Sequence, residues 1–117
     1  ALDGLESHAA IAASGWAGRV VTTYRPDAVV DPDFEGFRDN LVRFGELTGE
    51  DTATWTGYLA AHRKRRAFFR QYGATASDHG HPSARTADLA PVEAERLFRA
   101  VTTSHPTAEE ADLFRGQ

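Results

Sequence analysis

The chain has 117 residues, of which 41% are hydrophobic and 26% charged, with a formal net charge of −4 at pH 7. That length allows one domain at most, and the acidic balance weighs against nucleic acid or an anionic membrane surface as main partner. There is no Cys, which excludes disulfides and thiolate metal sites, and no apolar run approaches the ~20 residues that span a bilayer.

The N-terminus lacks a signal-peptide pattern, and a cytoplasmic setting is the expectation. The chain also lacks Met and opens at Ala1 with Leu2-Asp3-Gly4-Leu5-Glu6, as if in mid-helix. It reads as an internal piece of something longer.

Leu2 to Ser14 is an Ala-rich helix by pattern, with Leu2, Leu5, Ala9 and Ala12 on one face and Gly15 as its stop. Arg19-Val20-Val21-Thr22-Thr23-Tyr24 is β-branched and aromatic, so a strand that Pro26 ends. Asp27 to Asp33 is a connection. Phe34, Phe37, Leu41, Phe44 and Leu47 recur at helical spacing until Gly49. Thr52 or Thr54 caps a third helix from about Trp55 to Tyr72, with Trp55, Tyr58, Leu59, His62, Phe69 and Tyr72 inward and Gly73 beyond its end.

A second strand, about Ala74 to Ser77, follows at once, then a loop from His81 to Ala87. Pro91 to Thr102 is a helix carrying Val92, Leu97, Phe98 and Val101, with Pro91 in its first turn. Thr107-Ala-Glu-Glu110 is a capping box that opens a last helix. The order strand, helices, strand, helices is a βαβ unit with parallel strands and a right-handed crossover. Two parallel strands are too few for an independent sheet, and a complete (β/α)8 barrel needs roughly 250 residues. The pattern is therefore α/β and helix-dominated, with two strands and about five helices, and it is incomplete.

The chemistry concentrates where the two strands end. Asp78-His79-Gly80-His81 places ionisable groups at the carboxyl end of a strand, where α/β enzymes keep their sites. Both imidazoles of an extended His-x-His can reach one ion. Two His are nonetheless short of the three protein ligands a catalytic metal takes. The blander reading makes one His a satisfied strand-end group and the other a loop residue.

Arg25 closes the first strand, placed to bind a carboxylate or phosphate through two N–H groups, with Asp27 able to orient it. The simpler reading is a surface Arg–Asp pair. His62-Arg63-Lys64-Arg65-Arg66 reads as a solvated helix face rather than a phosphate site. Phe34, Phe37, Phe44, Phe68 and Phe69 read as core or inter-helix packing.

Taken in order, Tyr24-Arg25-Pro26-Asp27, Trp55-x-x-Tyr58-Leu59, Arg63-Lys64-Arg65-x-x-Phe68-Phe69 and Gly73-Ala-Thr-Ala-Ser77-Asp78-His79-Gly80 resemble the middle of uronate isomerases. These are metal-dependent (β/α)8 enzymes of the amidohydrolase superfamily. His81-Pro82 and Thr86-Ala87-Asp88-Leu89 also resemble one branch of that family, so the likeness covers nearly the whole chain. It implies a single partial domain, residues 1–117, inside a larger TIM-barrel enzyme.

That enzyme would interconvert glucuronate and fructuronate, or galacturonate and tagaturonate, with a divalent metal, zinc by expectation, polarising the oxygens. The resemblance assigns Arg25 to substrate binding. It sets Asp78 and His79 at the end of a barrel strand as the catalytic candidates. The family's metal-binding His-x-His and Asp lie outside this segment, so no metal is expected on this chain alone. The segment alone is expected to be inactive and to self-associate through exposed strand edges.

Two other readings stand beside this one. The first is a small helical interaction module without catalysis, using the Phe34/Phe37/Phe44 face as its partner surface. The second is a stand-alone metalloprotein built on His79 and His81.

Overall fold

Backbone chemistry sets where each helix begins and ends in the computed structural model, which describes residues 1–117. The helices are α1 (Glu6–Ala13), α2 (Asp27–Val30), α3 (Phe37–Thr48), α4 (Trp55–Gln71), α5 (Pro91–Thr103) and α6 (Ala108–Gly116). In α4 the Thr54 hydroxyl accepts from the Gly57 N–H at 3.1 Å. In α6 the box closes both ways: Glu110 N–H donates to Thr107 Oγ1 and Thr107 N–H to Glu110 Oε2. Gly49 and Gly73 stop α3 and α4 at φ 67° and 87°, a region that suits glycine.

Several expectations need correction. The first helix begins at Glu6 rather than Leu2, because Leu5 sits at φ 59° and the Asp3 carboxylate holds its N–H at 2.6 Å. The connection after Tyr24 contains the one-turn α2, giving six helices where about five were expected. Gly36, at φ 73°, delays α3 to Phe37 and leaves Phe34 in the preceding turn, 43% exposed rather than in the core. Val92 stands in the first turn of α5 at 80% exposure.

The two β-prone runs form no strands. They meet in a single parallel bridge between Tyr24 and Ser77. The bridge consists of Tyr24 N–H to Ala76 O at 3.1 Å and Asp78 N–H to Tyr24 O at 3.3 Å. A parallel ladder extends only where both partners continue and both faces are covered. Val20 and Val21 are instead 45% and 49% exposed, with no backbone partner.

The main core lies between helices. Val29 of α2, Phe37, Leu41 and Phe44 of α3, Tyr58 and Ala61 of α4, Leu97, Phe98 and Val101 of α5, and Phe114 of α6 form one buried cluster. A smaller cluster of Leu5, Tyr24, Phe69 and Ala74 lies under the bridge. Only 22 of 117 residues are buried. The radius of gyration, 15.5 Å, exceeds the roughly 13 Å of a compact domain this size.

His62 joins the two clusters. Its Nδ1 shares a 2.9 Å hydrogen bond with Tyr24 Oη, and its ring meets Phe44 and Tyr58 edge-on at centroid distances of 4.9 and 4.5 Å. Burial, with Arg66 adding, pushes the imidazole down from 6.5 to about 3. The basic run is therefore not uniformly solvated. Arg65 is buried too, donating to the carbonyls of Ala1 and Asp3 at 2.8 and 2.5 Å, while Arg63, Lys64 and Arg66 are exposed.

Two outcomes follow from this core. Phe44→Ala, at a site with no solvent exposure, should cost about 3–5 kcal/mol in denaturant unfolding, whereas Phe34→Ala should stay within about 0.5 kcal/mol. His62 binds its proton in the unfolded chain at higher pH than in the folded one. Stability should therefore fall as pH drops from 6.5 towards about 3, and a histidine NMR titration should show His62 still neutral at pH 5.

Candidate active site

The bridge determines the site's geometry. Because Tyr24 pairs with Ser77, the next residues in each run, Arg25 and Asp78, emerge side by side at the same edge. Arg25 Nε donates to Asp78 Oδ2 at 2.7 Å, and its Nη2 reaches the same oxygen. The side chains remain 63% and 40% exposed, so a ligand can reach both. The hydrogen bond from Arg25 holds the Asp78 carboxyl below the usual carboxylate range, and the same bond raises the guanidinium. At neutral pH the pair is a carboxylate beside a fixed cation.

Asp27 does not orient Arg25. It turns the other way and accepts from the Gly80 N–H at 2.5 Å, which ties the start of α2 to the turn between the two histidines. His79 and His81 stand with ring centroids 4.8 Å apart. His79 is exposed and His81 half-buried. Burial, followed by the neighbouring His79, lowers the His81 imidazole, so it is neutral at pH 7. One potential ligand atom from each of Asp27, His79 and His81 lies within 4.8 Å of the others.

Beside them opens a cavity of about 850 Å³, lined in part by His62, Arg63, Arg66, His79 and His81. Arg25 and Asp78 lie outside its lining. The chemistry is better located by the Arg25–Asp78 pairing than by this cavity. Arg63 and Arg66 on its wall offer an anionic group a cationic surface.

The structure thus brings Arg25 and Asp78 together, while His79 faces His81. Two further participants escaped the sequence reading: Asp27 as a partner of the Asp-His-Gly-His turn, and Tyr24–His62 as the prop behind the bridge. The available signal was the matching layout of the two runs. Each ends in a chemistry-bearing motif, and aligning Tyr24 with Ser77 places Asp27 against Gly80.

Comparison with known proteins identifies the family. The family profile described as glucuronate isomerase matches residues 1–117. The uronate isomerase of Xanthomonas axonopodis pv. citri (strain 306) is 66% identical over 116 residues, covering 99% of this chain and 25% of the relative. That of Mesorhizobium japonicum is 61% identical over 117 residues, again 25% of the relative.

Among solved structures, glucuronate isomerase from Caulobacter crescentus superposes with a TM-score of 0.93 at 52% identity, covering 99% of this chain and 24% of that one. Uronate isomerase from Thermotoga maritima gives 0.90 at 27% identity, covering 98% and 26%. The chain spans about a quarter of the length of these relatives. Over its whole length, this chain belongs to the glucuronate isomerase family.

Proposed function

We propose that the chain works as two successive β/α segments of a (β/α)8 uronate isomerase, one partial domain whose remaining strands complete the site. The observation carrying this reading is the parallel bridge that sets Arg25 beside Asp78 at the carboxyl ends of two adjacent runs, where barrel enzymes hold their catalytic groups. The exposed Val20 and Val21 fit the same reading as unpaired strand surface awaiting neighbours. The long radius of gyration fits as well. The interaction-module alternative loses its surface, because Phe37 and Phe44 are in the core. A cytoplasmic sugar-metabolising enzyme is the setting this reading implies.

In this role Arg25 binds the carboxylate of a uronate such as glucuronate or galacturonate, in the fork geometry a guanidinium offers. Asp78 competes for that fork in the free protein, so the site rests closed on itself until substrate arrives. The reaction moves one proton between C2 and C1. A base removes the C2 proton of the aldose, the electron pair forms an enediol, and the proton returns to C1 as an O–H proton shifts from O2 to O1. Asp78, ionised at neutral pH, and the adjacent His79 are the groups of this chain placed to carry protons. The divalent metal implied by the resemblance polarises the substrate oxygens when bound, and its ligands belong to other segments.

A chimera tests this. The equivalent quarter of the Xanthomonas enzyme is replaced by this chain, and uronate isomerisation is followed by the ketose formed. The chimera should turn over. Arg25→Ala should then lower kcat/KM about 100-fold or more, chiefly through KM, and Asp78→Asn should lower kcat about 100-fold. A competent chimera indifferent to both substitutions contradicts the assignment.

The 117-residue chain alone should self-associate in sedimentation velocity, and Val20→Lys with Val21→Lys should shift it towards monomer. A wild-type chain that sediments as a compact monomer at all concentrations opposes that part.

A further inference from the structure

Asp27 and His81, which stand with His79 in one cluster, each bury a polar atom that has no partner. Asp27 Oδ1 is occupied by the Gly80 N–H, but its Oδ2 is buried without a hydrogen-bond partner. His81 Nε2 is likewise buried and unpartnered. Burying one such polar atom unmet is unfavourable, and here two lie in one cluster whose third member is another imidazole. Gly80 leaves room for this contact, since a Cβ there would come within 3.1 Å of Asp27 Oδ1. The N–H it donates orients the carboxylate beneath the two rings, the second-sphere support that metal carboxylates use.

From these contacts we propose that Asp27, His79 and His81 form a site for a borderline first-row divalent cation of the Zn²⁺ or Co²⁺ type. Two imidazoles and a carboxylate are a donor set such ions take, leaving open positions for water. Ligand atoms around a tetrahedral ion with bonds of about 2.1 Å are about 3.4 Å apart. The three donor atoms lie within 4.8 Å of one another, so binding draws them closer together.

The charges around the site are mixed, with Arg63, Arg66, Arg85 and Arg115 lining the same cavity as the two histidines. Asp31 lies close enough to act on His81, and Arg115 ion-pairs with both Asp31 and Asp33 at 2.7 and 2.9 Å. The site shares His79 with the isomerase reading but does not rest on it, because metal affinity is measured without substrate. It is also separate from the metal that the family resemblance implies, whose ligands lie outside this chain.

The test uses the chain itself, freed of metal by a chelator, titrated with ZnCl2 by calorimetry and with CoCl2 by visible absorption. One ion per chain should bind with a Kd of about 10 μM or tighter, with Co²⁺ giving ligand-field bands of reduced coordination. Asp27→Asn and His81→Gln should each weaken Zn²⁺ at least tenfold, whereas His8→Gln and His105→Gln should not.

Asp27 is the decisive position, because only the folded chain brings it to His79. Far-UV circular dichroism on Asp27→Asn shows whether the fold persists, and Zn²⁺ should raise the thermal midpoint of the wild type but not of that variant. Binding that survives Asp27→Asn unchanged would mean a local His-Gly-His chelate and would overturn the proposal. So would absence of stoichiometric binding below about 100 μM.

Discussion

One reciprocal pair of backbone hydrogen bonds, Tyr24 N–H to Ala76 O and Asp78 N–H to Tyr24 O, organises everything chemical in this chain. Because the pairing is parallel, residues following Tyr24 and Ser77 leave in the same direction, and their side chains meet in register. Arg25 finds Asp78, and two residues later Asp27 finds the Gly80 N–H. A slip of one residue would turn Arg25 to the opposite face and separate it from the carboxylate. The bridge is itself held from behind. Tyr24 bonds His62 of α4 through its hydroxyl and meets Phe69 edge-on at 5.2 Å, with the Arg66 guanidinium over its ring. The helix that carries the basic run is thus the prop of the site.

That prop explains why a bridge so short persists. Two isolated extended segments are marginal in water, but here one strand-end residue is buried in a cluster with Leu5, Phe69 and Ala74. Away from Tyr24 the same runs have nothing to lie against, and Val20 and Val21 face solvent. Order in the β-prone part of the chain follows the packing available, residue by residue. On the proposed reading the missing packing is the rest of a barrel. The same reading accounts for a helical layer well formed on its own beside a sheet layer reduced to one rung.

Much of this was legible in the residues. The helical periods of Phe37, Leu41 and Phe44, the Thr54 and Thr107 caps and the Gly49 and Gly73 stops act locally, so short-range chemistry reports them faithfully. The Ser-Asp-His-Gly and Arg-Pro-Asp motifs likewise pointed to the edge where Arg25 meets Asp78. What local pattern failed to show were the effects of distant partners. β-branched runs predict strands only if a neighbour exists to pair with, and here the neighbours are absent. Phe34 fits the apolar stripe by spacing, yet the left-handed Gly36 ends that stripe one turn early. Asp27 reads as a partner for Arg25 two residues away, but the bridge offers Arg25 the better-placed Asp78 and leaves Asp27 for the turn after it.

The central claim is that a single parallel rung, supported by α4, aligns the two motifs, and that Val20 and Val21 are unpaired. Amide hydrogen exchange measures this residue by residue. In the 117-residue chain the Tyr24 and Asp78 N–H groups should be protected, while those of Val20, Val21 and Thr22 exchange at the rate of open chain. In the chimera with the Xanthomonas enzyme, Val20 to Tyr24 should all become slow. Tyr24 and Asp78 exchanging as fast as Val20 in the chain would contradict the account, as would protection of Val20 and Val21 in the chain by itself.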